Sequence, residues 1–228
     1  MIKKNILKIK ERISYICSKI NQDPDSITIV AVAKARTAKQ IKEAIDAGIT
    51  DIAENKVQEA ILKYNALRTT HYAQRIKWHM VGHLQTNKVK ESVKNFDLIQ
   101  SVDSIHLAQE IDKQAAKITK IQDILIQVNT PGETTKFGLK PNETIEVAKE
   151  VAKLKNIKIK GLMTIAPFVA NPEEVRPYFR QLRELSNSLN SILNTQYSIL
   201  SMGMTDDFEV AIEEGANMIR LGRAIFEG

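Results

Sequence analysis

The stretch Ile27-Thr28-Ile29-Val30-Ala31-Val32-Ala33-Lys34 opens an alternation of strand-like and helix-like segments that runs through the rest of the chain. Its first seven residues are apolar or β-branched, as in a buried strand, and the run ends abruptly at Lys34. A helical pattern over 38–47 follows and is closed by Gly48. A strand that feeds a helix is the repeating unit of parallel α/β folds. This stretch therefore predicts an α/β fold.

The same unit recurs to the end of the chain. The predicted strands are 27–33, 50–53, 76–81, 97–101, 123–129, 157–164, 198–202 and 217–221. The clearest predicted helices between them are 38–47, 104–118, 141–154, 173–193 and 206–214. Eight strands that each feed a helix or the chain end predict a (β/α)8 TIM barrel. A doubly wound open sheet is the main alternative, but it usually has fewer strands, and the chain lacks the Gly-x-Gly-x-x-Gly and P-loop motifs.

A row of isoleucines at helical spacing precedes the barrel and predicts an N-terminal helix over 1–20. The row is Ile2, Ile6, Ile9, Ile13, Ile16 and Ile20. A basic amphipathic helix can lie on a membrane or act as a targeting peptide, but we expect this one to dock onto the barrel. Because 228 residues suit one α/β barrel and no Pro- or Gly-rich linker divides the chain, we predict a single domain over 1–228.

Composition argues against several classes of function. The 33 basic and 27 acidic residues give a charge of +6, but the lysines are scattered and aromatics make up only 5%, so we predict no nucleic-acid surface. No apolar stretch reaches the length of a membrane span, and we predict no membrane partner. The single Cys17 permits no internal disulfide, which fits a reducing compartment, and we expect a cytoplasmic protein with a structural thiol.

In such a barrel, functional groups lie where the strands end and their following loops begin. The first strand delivers Lys34, and the second runs into Glu54 and Asn55. A lysine amine with a depressed pKa condenses with an aldehyde to form a Schiff base. The alternative is a strand-end lysine that reaches past apolar surface to water.

The loops after strands seven and eight predict a phosphate site, which barrels often build there. Thr205 offers a hydroxyl, Gly222 lets a backbone amide approach closely, and Arg223 adds an amide and a guanidinium. Alternatively, Thr205 caps the following helix and Gly222 only ends a strand. Because Asp206 and Asp207 would repel a phosphate, we expect their carboxylates to point away, toward helix amides.

Arg220 stands inside the apolar run of the eighth strand. Alternation places it on the opposite face from Ile219 and Leu221, and hence inside the barrel if those two pack on the helices. A buried guanidinium needs an acceptor, either a carboxylate such as Glu54 or Glu209 or the ring nitrogen of a cofactor. An aldehyde-capturing lysine, a phosphate cradle and an arginine facing a ring acceptor together describe pyridoxal 5′-phosphate (PLP).

The histidines do not predict a metal site. His71, His79 and His83 form no helical pair with an acid, and no cysteine cluster joins them. We expect core or loop histidines, with His79 as a neighbour of the cofactor.

Seven segments, taken in order, resemble the YggS/PROSC family of PLP-binding homeostasis proteins. They are Ala31-Val32-Ala33-Lys34, Glu54-Asn55-Lys56-Val57-Gln58-Glu59, Trp78-His79-Met80-Val81-Gly82-His83-Leu84-Gln85-Thr86-Asn87-Lys88, Ser101-Val102-Asp103-Ser104, Gly161-Leu162-Met163, Leu200-Ser201-Met202-Gly203-Met204-Thr205-Asp206-Asp207 and Ile219-Arg220-Leu221-Gly222-Arg223-Ala224-Ile225-Phe226. The resemblance runs from about Ile27 to the C-terminus, after a typical N-terminal helix.

The resemblance implies a barrel like the N-terminal domain of alanine racemase, with PLP held on Lys34 as a Schiff base. It also implies that Arg220 faces the pyridine nitrogen, that Thr205, Gly222 and its successor hold the phosphate, and that Asn55 lies at the pocket.

The chain departs from the family pattern at three positions. Ala53 stands where the family usually has Gly, His83 where Pro is usual, and Arg223 where a small hydroxyl residue is common. Position 223 therefore lacks the hydroxyl, and only its backbone amide is expected to hold the phosphate.

Arg220 also bears on whether the protein is an enzyme. A guanidinium does not readily give up its proton, so the ring nitrogen would stay unprotonated and the cofactor would be a weaker electron sink. Racemases of the resembling fold add a tyrosine base from a second domain, and we expect none here because the chain ends at Gly228, soon after the eighth strand.

We therefore predict a PLP-homeostasis protein without strong catalysis, cytoplasmic and monomeric, with PLP-dependent apo-enzymes as recipients and no catalytic residues. The alternatives are a minimal PLP-dependent amino-acid racemase that uses Lys34 alone or with His79, and a sugar-phosphate enzyme without the cofactor.

Overall fold

The computed structural model describes residues 1–68 and 72–228 and contains a closed barrel of eight parallel strands. The strands are β1 (Thr28–Val32), β2 (Asp51–Glu54), β3 (Lys77–Met80), β4 (Leu98–Val102), β5 (Gln122–Gln127), β6 (Ile157–Met163), β7 (Ile199–Ser201) and β8 (Met218–Leu221). They pair in chain order, and β8 closes the barrel against β1 with Val30 beside Arg220. The predicted (β/α)8 barrel is confirmed, and every predicted strand overlaps an observed one.

A helix follows each strand. The α-helices are α1 (Ile2–Lys19), α2 (Ala38–Asp46), α3 (Val57–Arg68), α4 (Val89–Asn95), α5 (Ile105–Ala116), α6 (Pro141–Val151), α7 (Arg176–Leu193), α8 (Phe208–Glu213) and α9 (Arg223–Phe226). Short 3-10 helices cover Pro24–Ser26, Ala73–Arg75, Thr86–Lys88 and Pro172–Val175. The five predicted barrel helices are present, with boundaries that differ by a few residues.

Local side-chain caps explain where several helices begin. Thr37 and Gln40 form a capping box at the start of α2. The Ser104 hydroxyl accepts from the Leu107 amide at 3.2 Å and starts α5 as predicted. Helix α7 begins three residues later than predicted because Pro172–Val175 forms a 3-10 turn, whose first amides are capped by Asn171.

Helix α1 docks onto the barrel through its isoleucine face, as expected. Ile2, Ile6, Ile9, Ile13 and Ile16 are buried, and the helix packs against α2, α8 and α9. Ile20, by contrast, caps the C-terminus of the helix and is exposed. Within residues 1–68 and 72–228, no helix combines the length and the apolar character needed to cross a bilayer.

The core has two layers because alternate strand residues face opposite ways. The outer layer lies between the sheet and the helices and includes Ile219 and Leu221. The inner layer fills the barrel with apolar side chains, namely Val30, Ala53, Val81, Leu98, Leu125, Met163 and Met218. Polar side chains interrupt this inner layer on β2, β3, β4, β7 and β8, and they lead to the site.

Candidate functional site

Lys34 lies on a tight turn at the end of β1. The Ala33 amide donates to the Ala53 carbonyl at 2.8 Å, and the Arg36 amide donates back to the Ala33 carbonyl at 2.9 Å. Between them Ala35 adopts a φ of +58°, a left-handed conformation that costs a non-glycine residue about 1 kcal/mol and recurs at functional sites.

The Lys34 side chain is exposed at this rim of the barrel. Its amine has no hydrogen-bond or ion-pair partner among the residues that the structure describes. Such an amine is accessible to a ligand, whereas a lysine held in an ion pair would first have to release its partner. Its reaction with an aldehyde stays a prediction.

A buried ion pair supports the Lys34 turn from behind. Glu54, the last residue of β2, is fully buried and accepts a hydrogen bond from the Lys63 ammonium of α3. The same ammonium donates to the Ala33 carbonyl at 2.7 Å. Burial raises the pKa of Glu54, although the Lys63 charge opposes this effect. Glu54 therefore points to the helices. Through Lys63 it stabilises the peptide group between Ala33 and Lys34.

Asn55 lies next to Lys34 along the rim and is half-buried. Gly82 packs directly on its backbone, and a Cβ at Gly82 would lie only 2.2 Å from the Asn55 carbonyl oxygen. Glycine is thus required where the β3 loop crosses β2. The Asn55 amide group has no partner in the described part of the chain, and its place at a cofactor pocket stays a prediction.

Arg220 points into the barrel, as strand alternation predicts. Only 4% of the residue is exposed. One guanidinium nitrogen donates to the Ser201 hydroxyl at 2.8 Å and the other terminal nitrogen donates to the Thr164 carbonyl at 2.7 Å. Burial lowers the pKa of Arg220 to about 10 and nearby Asp207 opposes that shift, so the group keeps its charge at neutral pH. These bonds use two of its five N–H donors.

The alternative of a salt bridge from Arg220 to Glu54 or Glu209 was wrong. Glu54 pairs with Lys63 outside the barrel, and Glu209 accepts from Arg12 of α1 at 2.9 Å. Neither glutamate faces the barrel interior, because Glu54 pairs with a lysine of α3 and Glu209 lies on α8 and pairs with an arginine of α1. A neutral hydroxyl and a carbonyl take the place of a carboxylate around Arg220.

Unbonded backbone amides gather where β8 ends. Gly222 begins the short helix α9, and the amides of Gly222 and Arg223 donate no hydrogen bond to any described residue. A Cβ added to Gly222 would meet only Val32, at 3.6–3.8 Å. Since Val32 faces the barrel interior, glycine keeps the inner side of the mouth open beside these amides.

Thr205 lies against the same turn. Its hydroxyl accepts from the Ala224 amide at 3.3 Å. It does not cap α8, because the residue at that position is Asp207, which makes no side-chain cap. The alternative of a simple helix cap was therefore wrong, and Thr205 instead joins the β7 and β8 loops that were predicted to hold a phosphate.

Two acidic side chains follow Thr205, and both differ from expectation in their partners. Asp207 accepts a hydrogen bond from the backbone amide of Met204, which lies in the loop before α8 and not in a helix. Asp206 does not meet a helix amide. It forms an exposed ion pair with the Arg223 guanidinium, so the side chain of Arg223 is engaged by a carboxylate and only its amide is unbonded.

The histidines lie in two different environments. His79 is buried and both of its ring nitrogens are hydrogen-bonded inside the barrel. His83 lies on the rim, where it contacts Asp103 at 3.3 Å and stacks on Phe137 with 3.7 Å between ring centroids. His71 lies outside the described residues. Over residues 1–68 and 72–228, no group of three or more His, Cys, Asp or Glu side chains is placed to hold a metal ion.

A row of buried polar side chains crosses the barrel interior and ends at Arg220. Its members are Asp51, His79, Gln100, Ser201 and Arg220, joined in that order by hydrogen bonds of 3.0, 2.8, 2.6 and 2.8 Å. We call this row the interior relay. The sequence patterns did not single out Asp51 or Gln100. Strand alternation could have identified them, because residues two apart in a strand face the same side. Asp51 is two residues from Ala53, and Gln100 is two residues from Leu98, and both of these neighbours face the barrel interior.

Comparison with known proteins agrees with this architecture. Residues 5–228 match the family model described as alanine racemase, N-terminal domain. The pyridoxal phosphate homeostasis protein of Aquifex aeolicus is 42% identical over 219 residues, which are 96% of this chain and 94% of that protein.

Two solved structures are similar to this chain in their fold. PipY of Synechococcus elongatus, solved with PLP bound, is 34% identical, covers 96% of this chain and 99% of its own, and superposes with a TM-score of 0.82. An alanine racemase of Clostridium difficile in complex with cycloserine is 17% identical, with a TM-score of 0.77 over 98% of this chain and 58% of that one. The racemase shares the fold alone.

Proposed function

The chain belongs to the alanine racemase N-terminal domain family and to the family of pyridoxal phosphate homeostasis proteins, and from this premise we propose that it binds PLP and takes part in PLP homeostasis without strong catalysis of its own. The observation that carries the proposal is the meeting of three unsatisfied donor sets at one end of the barrel. They are the Lys34 amine, the unbonded amides at Gly222 and Arg223, and the spare donors of Arg220.

Each donor set fits one part of the cofactor. The amine of Lys34 holds the aldehyde as a Schiff base, which is the covalent chemistry that PLP supplies when bound. The amides at Gly222 and Arg223, together with the Thr205 hydroxyl, hold the phosphate, because oriented N–H groups at the start of a helix favour an anion. Arg220 faces the ring nitrogen and Asn55 lies at the edge of the pocket.

The same residues explain why catalysis is weak. Arg220 keeps its proton and donates it as a hydrogen bond, so the ring nitrogen stays unprotonated and accepts electrons poorly. His79 was the candidate partner for racemisation, but both of its ring nitrogens are bonded, one to Asp51 and one to Gln100. It offers no free position at which to exchange a proton with a ligand.

The proposal extends to partners and location. PLP held in this way is available for release to PLP-dependent apo-enzymes, which are the recipients we propose. The lone, buried Cys17 fits a protein of the reducing cytoplasm. A closed barrel leaves no sheet edge open for pairing, which fits a monomer. Light scattering of the purified protein tests the monomer.

Trapping the covalent link tests the central claim. The purified protein is loaded with PLP, reduced with borohydride and mapped by peptide mass spectrometry. We expect a pyridoxyl group on Lys34, no such group at that position in Lys34→Ala, and an unchanged adduct in Lys56→Ala, which removes an exposed lysine two residues beyond β2.

Turnover of single-enantiomer amino acids is measured in parallel. We expect turnover no faster than that of PLP in buffer. A wild-type protein that carries no adduct on Lys34 contradicts PLP binding at this lysine. Racemisation that disappears in Lys34→Ala contradicts the non-catalytic role.

A further inference from the structure

The hydrogen bonds of the interior relay can be assigned a donor and an acceptor one after another, starting from Arg220. Arg220 can only donate, so the Ser201 oxygen must accept from it and the single Ser201 proton must go elsewhere. The atom that faces this proton is on Gln100, at 2.6 Å, and it must be an acceptor, namely Oε1. The amide orientation of Gln100 is therefore fixed by the arginine.

The same reasoning fixes the protonation of His79. With Oε1 turned to Ser201, the Nε2 of Gln100 faces His79 Nδ1 at 2.8 Å and also lies 3.3 Å from the Met218 sulfur. An amide nitrogen only donates, so His79 Nδ1 accepts. The ring is then neutral with its proton on Nε2, which it donates to Asp51 Oδ1 at 3.0 Å.

Asp51 ends the relay as an anion. Its second oxygen accepts from the Thr50 hydroxyl at 2.6 Å. Burial raises the pKa of Asp51, but the hydrogen bonds from His79 and Thr50 outweigh it and leave the pKa below its ordinary value. A buried cation at the barrel mouth and a buried carboxylate near the opposite end are thus joined by one polarised chain, in which each bond reinforces the next.

We propose that Gln100 and His79 are positioning residues that aim Arg220 at the ring nitrogen of the bound cofactor by fixing which lone pair of Ser201 faces the guanidinium. This inference rests on the proposed function. Without Gln100, the Ser201 proton loses its acceptor and the hydroxyl rotates. The guanidinium then keeps only the Thr164 carbonyl as a fixed partner. Among the described residues, Gln100 forms no hydrogen bond to Lys34, Thr205, Gly222 or Arg223, so its effect reaches PLP through Arg220.

The direction of the relay is tested without cofactor. The 15N chemical shifts of the four histidine side chains are recorded in the apo-protein, and His79 is recognised by the slow exchange of its buried ring proton and by its loss in His79→Asn. We expect His79 to be protonated on Nε2 and unprotonated on Nδ1. A proton on Nδ1 in the wild-type protein overturns the inference, whether or not any variant folds.

The effect on Arg220 is tested with PLP labelled with 15N in its ring. In the wild-type complex we expect the shift of an unprotonated nitrogen that accepts a hydrogen bond. In Gln100→Leu we expect that signal to move toward free, unbonded pyridine, and PLP to dissociate about tenfold faster, as for one lost charge-assisted hydrogen bond. Gln100→Glu keeps the acceptor for Ser201, so the ring signal should stay near the wild-type value while His79 gains a proton on Nδ1.

Gln122→Leu is the matched control. Gln122 is an equally buried glutamine on β5 whose amide nitrogen donates to two backbone carbonyls away from the relay. It should cost stability and leave the ring signal unchanged. An unchanged ring signal in folded Gln100→Leu, or an equal change in Gln122→Leu, overturns the inference. A wild-type protein that takes up no PLP contradicts the proposed function instead, and the histidine measurement still decides the direction of the relay.

Discussion

Charged and polar groups beneath the barrel rim differ from those on it in how fully they are paired. Beneath the rim, one oxygen of Glu54 is bonded to Lys63 while the other has no partner in the described chain, and four hydrogen bonds join the interior relay that ends at Arg220. On the rim, the Lys34 amine, the Asn55 side chain and the amides at Gly222 and Arg223 have no partner among the described residues.

This difference distinguishes residues that support the structure, which lie beneath the rim, from residues that can bind a ligand, which lie on it. Native proteins satisfy nearly all of their buried polar groups, so the paired groups need no ligand to explain them. Unpaired donors that gather at one rim, on three different loops, are the groups with capacity to bind. The contrast predicts that changes beneath the rim cost stability first, whereas changes on the rim cost cofactor affinity with little loss of stability.

The largest effect is expected from Lys63→Met. The variant keeps most of the side-chain volume but leaves the fully buried Glu54 carboxylate without its cation, which typically costs about 3 kcal/mol or more. Urea denaturation measures the loss. Lowering the pH from 7 to 5 should recover part of it, because burial already raises the pKa of Glu54 and the unpaired carboxylate takes up a proton more readily.

Lys56→Met is the control for this variant. Lys56 precedes α3 and pairs with Glu59 on the exposed surface, where ion pairs contribute little, so we expect no measurable change. Equal urea-denaturation midpoints for Lys63→Met and Lys56→Met would show that the buried ion pair does not stabilise the fold.

A smaller loss is expected from Glu214→Gln at the C-terminus of α8. Glu214 is nearly buried and contacts Arg176, Arg180 and Arg183 at 2.9–3.2 Å, which fastens α8 to α7. Substitution should lower the free energy of unfolding by about 2 kcal/mol at pH 7, because three arginines lose a shared anion. Glu213→Gln, at a half-buried neighbour whose one ion-pair partner among the described residues is Arg176, should cost less.

The pH dependence of the Glu214 contribution has a definite sign. Burial raises the pKa of Glu214, but the arginines outweigh it and leave the folded-state pKa below the ordinary value. A depressed carboxylate pKa stabilises the fold above the unfolded value of about 4.3 and stops doing so as the pH falls through the folded value. The difference in unfolding free energy between wild type and Glu214→Gln should therefore be constant near neutrality and shrink below about pH 4.3.

The rim was easier to predict from sequence than its support. The positions of Lys34, Asn55, Thr205 and Gly222 on the rim were predictable because strand ends in an α/β barrel converge at one end. Eight apolar runs separated by helical patterns are enough to number the strands, and the inward direction of Arg220 follows from its apolar neighbours.

The support was not predictable because it depends on partners far apart in sequence. Gln100 meets Ser201 across 101 residues and His79 across 21, and no local pattern reports such contacts. Glu54 was expected at the pocket. Because Ala53 faces the barrel interior, the next residue, Glu54, faces outward and pairs with Lys63 of α3. The ion pair of Arg223 with Asp206 was not predictable for the same reason, since the two residues lie on different loops.

On the rim, Gly222→Ala should separate affinity from stability. The new methyl group meets only Val32, at ordinary contact distance, and the φ of −109° suits alanine. We therefore expect an unchanged unfolding midpoint, and PLP binding weakened by about tenfold because the methyl group enters the mouth beside the unbonded amides. Gly203→Ala is the opposite case. With a φ of +92° and a Cβ 2.6 Å from that of Ala211, it should destabilise the fold.

The smallest effect is expected from Arg223→Ser, which restores a hydroxyl at this position. Because the guanidinium is paired with Asp206, its loss leaves that carboxylate unopposed near the phosphate amides, and PLP should bind about threefold more weakly through repulsion at long range. The double variant Asp206→Asn/Arg223→Ser removes both charges and should recover wild-type affinity. Fluorescence titration with PLP measures all three proteins at two salt concentrations, and added salt should shrink the single-variant effect. If the double variant binds as weakly as the single one, the guanidinium contacts the phosphate directly and the rim is completed by a side chain, not by backbone amides alone.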